Sequence, residues 1–236
     1  MVDHQLYFRQ LLSGRDFAAG DPLATQMVNF SYLIGDRATG DAVVVDPAYG
    51  VGDLVDAALA DGMTVTGALV THHHPDHVGG SMMGYTIEGL AELLSRVQVP
   101  VHANRHEASL VTRVTGLGSD EVVGHEGGDK ITVGAVEVEL LHTPGHTPGS
   151  QCFLVDGMLV AGDTLFLEGC GRTDLPGGDP GALYESLQKL VSLPDSTVLY
   201  PGHRYSVAST ATMAAVREMN MVFKPRTKEA WLAAFG

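Results

Sequence analysis

Positive charge is what this sequence has least of. Fourteen Lys and Arg stand against 28 Asp and Glu, a formal net charge of −14, and the ten arginines and four lysines form no cluster. A surface that neutralises nucleic-acid phosphates is therefore not expected. Cysteine is nearly as scarce. Cys152 and Cys170 build no disulfide framework and fit a reducing compartment, most simply the cytoplasm. No apolar run approaches the ~18 residues of a transmembrane helix. The opening MVDHQLYFRQLL lacks the basic segment and long apolar stretch of a secretion signal. The expectation is a cytoplasmic protein whose partners include neither membrane nor nucleic acid. At 18% charged and 44% apolar, the 236 residues are too apolar for a disordered chain and sufficient for a substantial core.

The apolar pattern alternates between helix and strand. Residues 27–34 and 42–46 read as strands divided by a polar turn at 35–41. Leu54, Val55, Ala58 and Leu59 recur at helical spacing over 52–61, and Gly62 ends that helix. The strand 67–70 then runs directly into Thr71-His72-His73-His74-Pro75-Asp76-His77. Polar clusters at the C-terminal ends of strands are where α/β proteins place their sites. Residues 84–98, with Ile87, Leu90, Leu94 and Val97 on one stripe, predict an amphipathic helix, and 99–103 a strand. Five glycines between 115 and 130 predict a long connection. Beyond it, 131–141 alternates as strand with a bend at Gly134-Ala135, and Asp156-Gly157 joins 150–155 to 158–161 as a hairpin. A helix at 180–191, a strand at 196–200, a helix at 206–219 and a short helix at 227–234 follow. The prediction is an α/β fold in one domain over 1–236, either two sheets face to face with helices outside or one large mixed sheet.

What the sequence does have is histidine, eleven in all, seven of them in three short clusters. In an extended segment side chains alternate, so His72 and His74 face one way and His73 the other. Pro75 holds His74 extended and opens a helix start. In His142-Thr143-Pro144-Gly145-His146 the Pro-Gly pair rules out a helical metal motif. A rigid loop presenting His146 is the better reading, with His142 structural. Asp163 ends an apolar strand, and His203 lies just past another. Imidazole and carboxylate together suit a divalent ion. His72, His74 and His146 could hold one cation, and Asp76, His77 and His203 a second. Asp163 could lend one oxygen to each. His4, His102, His106 and His125 have no such context and are expected to be surface or packing residues. Cys152 reads as strand filling.

Four motifs in this order, THHHPDH (71–77), TPGHTPGS (143–150), GDTLF (162–166) and PGH (201–203), resemble the metallo-β-lactamase-fold superfamily. The string DTLFLEGCGRTDLPGG (163–178) is similar to its glyoxalase II-like branch and to the related persulfide dioxygenases. The resemblance implies a four-layer αββα sandwich with metals at one edge of the inner sheets. It assigns His72, His74 and His146 to one site, Asp76, His77 and His203 to the other, and Asp163 as the bridge. It also implies a helical insertion at about 82–98, able to cover the site, and a short helical C-terminus. Arg172 matches a basic residue that helps bind glutathione in glyoxalase II, while Asp174 stands where those enzymes carry an aromatic.

The expected activity is hydrolysis of a thioester or related ester by a dinuclear centre. Two Zn²⁺ are the expected cofactors, with Fe or Mn able to occupy either position. A hydroxide shared by the cations would attack the carbonyl carbon, with Asp76 and Asp163 as the catalytic carboxylates and Arg172 holding a substrate carboxylate. The substrate would be a small-molecule thioester, a thiol conjugate among the candidates. The oligomeric state is left open, a dimer included. Two other readings stand beside this one. A mononuclear non-haem iron persulfide dioxygenase could use His72, His146 and Asp163 as its triad, and Gly169–Asp174 (GCGRTD) matches a string those enzymes carry. The third reading is a non-catalytic binding module.

Overall fold

Strict alternation along the strands decides the architecture. A computed structural model describes residues 5–236. The first half contains β1 (Leu6–Leu12), α1 (Pro22–Met27), β2 (Phe30–Asp36), β3 (Asp41–Val45), α2 (Val51–Ala60), β4 (Thr64–Leu69) and the short α3 (Pro75–Val78). It continues through β5 (Gly80–Met82), β6 (Tyr85–Ile87), α4 (Leu90–Arg96), β7 (Val101–Asn104), α5 (Arg105–Thr115) and β8 (Val122–His125). The second half contains β9 (Lys130–Val133), β10 (Val136–His142), β11 (Gln151–Val155), β12 (Met158–Gly162), β13 (Leu165–Phe166) and β14 (Gly169–Cys170). It ends with α6 (Pro180–Val191), β15 (Val198–Pro201), β16 (Ala211–Thr212), α7 (Met213–Met219) and α8 (Lys228–Phe235).

Two mixed six-stranded sheets result, ordered β1-β2-β3-β4-β7-β8 and β16-β15-β12-β11-β10-β9. On β2, Phe30, Tyr32 and Ile34 face the second sheet, where they meet Val138, Leu140, Phe153 and Val160. Leu33, Val44 and Ala68 point the other way, onto Leu54 and Ala58 of α2, Leu90 and Leu93 of α4 and Val111 of α5. Cys152, Leu159, Ala161 and Leu199 line the opposite outer face, under Leu183, Leu187 and Leu190 of α6, Val216 of α7 and Trp231 of α8. Each fully buried Leu, Val or Phe stabilises by about 1.5–3 kcal/mol relative to exposure, so three separate apolar layers hold four structural layers. The two-sheet αββα alternative forms, not the single large sheet.

Local structure departs from expectation in four places. The strand expected at 27–34 starts at Phe30, because Asp21 caps α1 through Met27. The helix expected over 84–98 covers only Leu90–Arg96. Met83 and Gly84, both at positive φ (51° and 82°), turn the preceding residues into the β5–β6 hairpin. That hairpin packs against α3 and α5, and α4 against α2. The glycine-rich connection at 115–130 contains β8, parallel to β7. The helix expected from 206 begins at Met213, capped by Thr212. The hairpin at Asp156-Gly157 forms as predicted, with positive φ at both residues (46° and 77°).

Candidate metal centre

Five strands deliver the polar residues to one edge of the sandwich. The parallel pair β3 and β4 ends at Asp46 and at the 71–77 segment, and the parallel pair β12 and β15 ends at Asp163 and His203. The β10–β11 connection adds His146. Facing sheets ordinarily stand about 10 Å apart, but here the backbones close on one another. Gln151 N donates to Thr71 O (3.0 Å) and Phe30 N to Gly202 O (2.8 Å). Two glycines make room for this. A Cβ at Gly202 would lie 2.4 Å from Asp163 Oδ1, and one at Gly171 would lie 2.0 Å from the Asp163 carbonyl and 3.0 Å from the His146 ring.

All seven predicted ligands converge. Three overlapping groups, His72/His74/His146, His72/His77/Asp163 and Asp76/His77/His203, each have their ligand atoms within 4.8 Å of one another. His74 Nδ1 lies 3.0 Å from both His72 Nε2 and His146 Nε2. His77 Nε2 and His203 Nε2 are 3.2 Å apart. Asp163 sits between the groups: Oδ1 is 3.4 Å from His77 Nε2, and Oδ2 is 3.4 Å from His203 Nε2 and 3.8 Å from His146 Nε2. Asp76 Oδ2 faces His203 Nε2 at 3.4 Å and accepts from Asn29 Nδ2 at 3.2 Å.

The outward nitrogens reveal which way each lone pair points. His146 Nδ1 donates to the Arg172 carbonyl (2.7 Å), His203 Nδ1 to the Met27 carbonyl (2.8 Å) and His77 Nδ1 to Asp46 Oδ2 (2.9 Å). Thr71 Oγ1 gives its own proton to Asp46 Oδ2 (2.6 Å) and so receives one from His72 Nδ1 (3.0 Å). Four rings are thereby held with Nδ1 as the outward donor and Nε2 aimed inward, the arrangement by which outer acceptors prepare histidine for a metal.

These residues fit divalent cations. Ring nitrogens whose rings already donate outward, such as His77 Nε2 and His203 Nε2 at 3.2 Å, repel unless something positive lies between them. Nitrogens at about 2.05 Å in a tetrahedral shell would be about 3.3 Å apart. Asp163 Oδ1 is buried and accepts no hydrogen bond. Burial pushes the Asp76 carboxyl upward, but the facing His77 and His203 outweigh it and hold it well below the usual carboxylate range; burial and the same two rings do likewise for Asp163. Burial drives His72 far down, and burial with the neighbouring His146 takes His74 down to about 3. Those two rings therefore stay neutral near pH 7, as metal ligands must. Five imidazoles and two carboxylates suit zinc, iron or manganese.

Arg172 reaches the site through its backbone. Its guanidinium is exposed and makes two 2.6 Å bonds to Asp174. His142 stays outside the ligand groups, bonding the Pro148 carbonyl and stacking on His106. His102 pairs with His125, and His4 lies outside the described residues. Both cysteines are free, and Cys152 fills the outer core. Sequence reasoning missed Asp46, Asn29, Glu107 and Tyr205. Asp46 carried a signal in Asp46-Pro47 at a strand end. Tyr205 lies two residues past His203 and stacks on it at 4.8 Å and 4°, with Phe166 edge-on at 5.0 Å.

Residues 24–203 match the profile of the metallo-beta-lactamase superfamily. The hydroxyacylglutathione hydrolase of Rhizobium meliloti (strain 1021) is 34% identical over 203 residues, 85% of this chain and 72% of that protein. The human mitochondrial persulfide dioxygenase ETHE1 is 33% identical over 222 residues, 90% and 80%. The crystal structure of ETHE1 from Myxococcus xanthus superposes with a TM-score of 0.77 at 29% identity, covering 97% of this chain and 89% of that one. A sandwich with seven convergent ligands, matched over most of its length by these proteins, places the chain in the metallo-beta-lactamase superfamily, in the branch of glyoxalase II and ETHE1.

Proposed function

We propose that the chain is a hydrolase of small thioesters that works with two divalent cations, zinc first among the candidates. The observation that carries this reading is the second ligand group. Asp76, His77 and His203 are buried and converge beside the three-histidine group, with Asp163 turned to both. His72, His74 and His146 would hold one cation, Asp76, His77 and His203 the other, and Asp163 would be shared. When bound, such a pair supplies a more acidic water and a polarised carbonyl.

The protein's own groups do the rest. Asp76, ionised at neutral pH and held at Oδ2 by Asn29, turns its other oxygen to the proton of the attacking water. The leaving thiolate is already a stable anion near its pKa of about 8.5, so no strong general acid is required. The exposed Tyr205 ring, backed edge-on by the buried Phe166 and stacked on His203, is suited to the part of the substrate that does not react. The exposed Arg172 guanidinium would bind an anionic group once that group displaces Asp174, and an exposed ion pair of this kind is weakly held.

The test is metal content by mass spectrometry together with hydrolysis of lactoylglutathione and simpler thioesters. Two ions per chain and turnover of a thioester support the reading. Fewer than one ion per chain with no hydrolysis removes it. A second reading is persulfide dioxygenation, favoured by the human ETHE1 match, which spans more of both chains than the Rhizobium hydrolase match. His72, His146 and Asp163 would then hold a single iron. One iron per chain with oxygen uptake on a persulfide would reverse the order.

A further inference from the structure

Glu107 is fully buried, although carboxylates almost never are unless they are paired. It sits in the first turn of α5, a helix with a weakly apolar inner face. Both of its oxygens are taken, each by a different ligand-bearing loop. Oε2 receives the hydrogen bond of His73 Nδ1 at 2.9 Å, and Oε1 receives that of the Thr147 hydroxyl. His73 stands between the ligands His72 and His74, and Thr147 follows His146. Ser150 Oγ completes the knot, accepting from Thr147 N at 3.0 Å and lying 2.8 Å from Thr147 Oγ1. The loop closes tightly onto α5 at Gly149, where a Cβ would lie 2.6 Å from Glu107 N.

We infer that Glu107 is a positioning residue that sets the three-histidine group by tying the 71–77 and 143–150 loops to one carboxylate. It touches no ligand atom. The second group is anchored differently, by Asp46, Asn29 and the Met27 carbonyl. Loss of Glu107 should therefore act on one cation and spare the other. Glutamine there keeps an acceptor for at most one of the two donors, the half-buried His73 ring or the buried Thr147 hydroxyl, and turns an amide donor on the other, so a loop is free to shift its histidine by the few tenths of an ångström to which coordination is sensitive. The inference rests on the metal-binding reading proposed above.

The test is titration of the metal-free full-length protein with Zn²⁺ against a competing chelator, and with Co²⁺ followed by visible absorption. In Glu107→Gln, one of the two binding steps should weaken by about 10–100-fold, the range for lost outer partners of a ligand, with a changed cobalt spectrum for that step. The other step should stay within about threefold. Thr147→Val, isosteric and cutting only one arm, should give a smaller loss at the same step, and it serves as the measurement if Glu107→Gln does not fold. Equal loss at both steps, or unchanged affinity at both, overturns the inference. A wild-type protein that binds no ion overturns the reading beneath it instead.

Discussion

Two histidine-rich regions lie in this molecule, and only one of them can gather a cation. In the region between β7 and β8, His102 Nδ1 meets His125 Nε2 at 2.9 Å, and Asp129 stands 3.6 Å from the other His125 nitrogen. One ring donates and the other accepts, so the pair satisfies itself. At the sheet edge each anchored ring turns its Nδ1 proton outward to a carbonyl, a carboxylate or a hydroxyl, and the inward nitrogens crowd one another, with only the Asn29 amide, 3.4 Å from His77 Nε2 and 3.5 Å from His203 Nε2, beside them. The difference lies in the acceptors behind the histidines, not in their number. A metal centre is made by the groups that use up the Nδ1 protons.

The sharpest break of that contrast comes from Asp163, whose oxygens face His77, His146 and His203. Asp163→Asn keeps the volume and removes the charge. At least one cation should weaken by more than about 100-fold, beyond the range for outer partners, and hydrolysis should fall with it. Two ions retained at wild-type affinity would show that the carboxylate is not shared. Next in size is Asp46, which accepts from Thr71 N at 2.8 Å, from Thr71 Oγ1 and from His77 Nδ1. Asp46→Asn turns an amide donor onto at least one of these three protons. The step involving His77 should weaken by about 10–100-fold, and the step involving His72, which Asp46 reaches only through Thr71, by less, as read by chelator competition. An unchanged affinity would mean that His77 needs no outer acceptor, and the comparison drawn above would fail.

The seven residues that converge were legible in the sequence because each sits in a short motif at a strand end, where side-chain alternation already predicts that His72 and His74 share a face and His73 does not. The strands at 27–34, 42–46 and 150–161 were legible from their apolar runs and the turns between them, but not which residue faces which layer. The supports of the seven residues were not legible. Asn29 and Glu107 owe their importance to residues 47 and 34–40 positions away, and no local pattern encodes such pairings. Helix α5 escaped for the same reason: its inner face is built around a buried carboxylate, so the apolar stripe that announces a helix is thin. The 84–98 segment misled because Ile87 fits the stripe of Leu90 and Leu94 while belonging to a strand. The positive φ at Met83 and Gly84 that decides the matter reflects turn chemistry, not hydrophobic period.

The smallest expected effect belongs to the self-satisfied pair and tests the contrast from its other side. Burial, and then the facing His125, bring His102 down to about 4. An unfolded chain titrates near 6.5, so as pH falls the unfolded state takes up this proton first. Stability from a neutral His102 is complete above pH 6.5 and is lost as pH falls through about 4. His102 is partly open to solvent, so screening keeps the effect modest. His102→Gln should make the melting temperature of the metal-free protein fall less steeply between pH 6.5 and 4 than the wild type's. The histidines of the sheet edge titrate in both proteins, and their contribution cancels in the difference because the sites share no partner. Zinc stoichiometry should be the same in both. A variant that loses a cation would mean that His102 and His125 act on the centre, and that the two regions are one system.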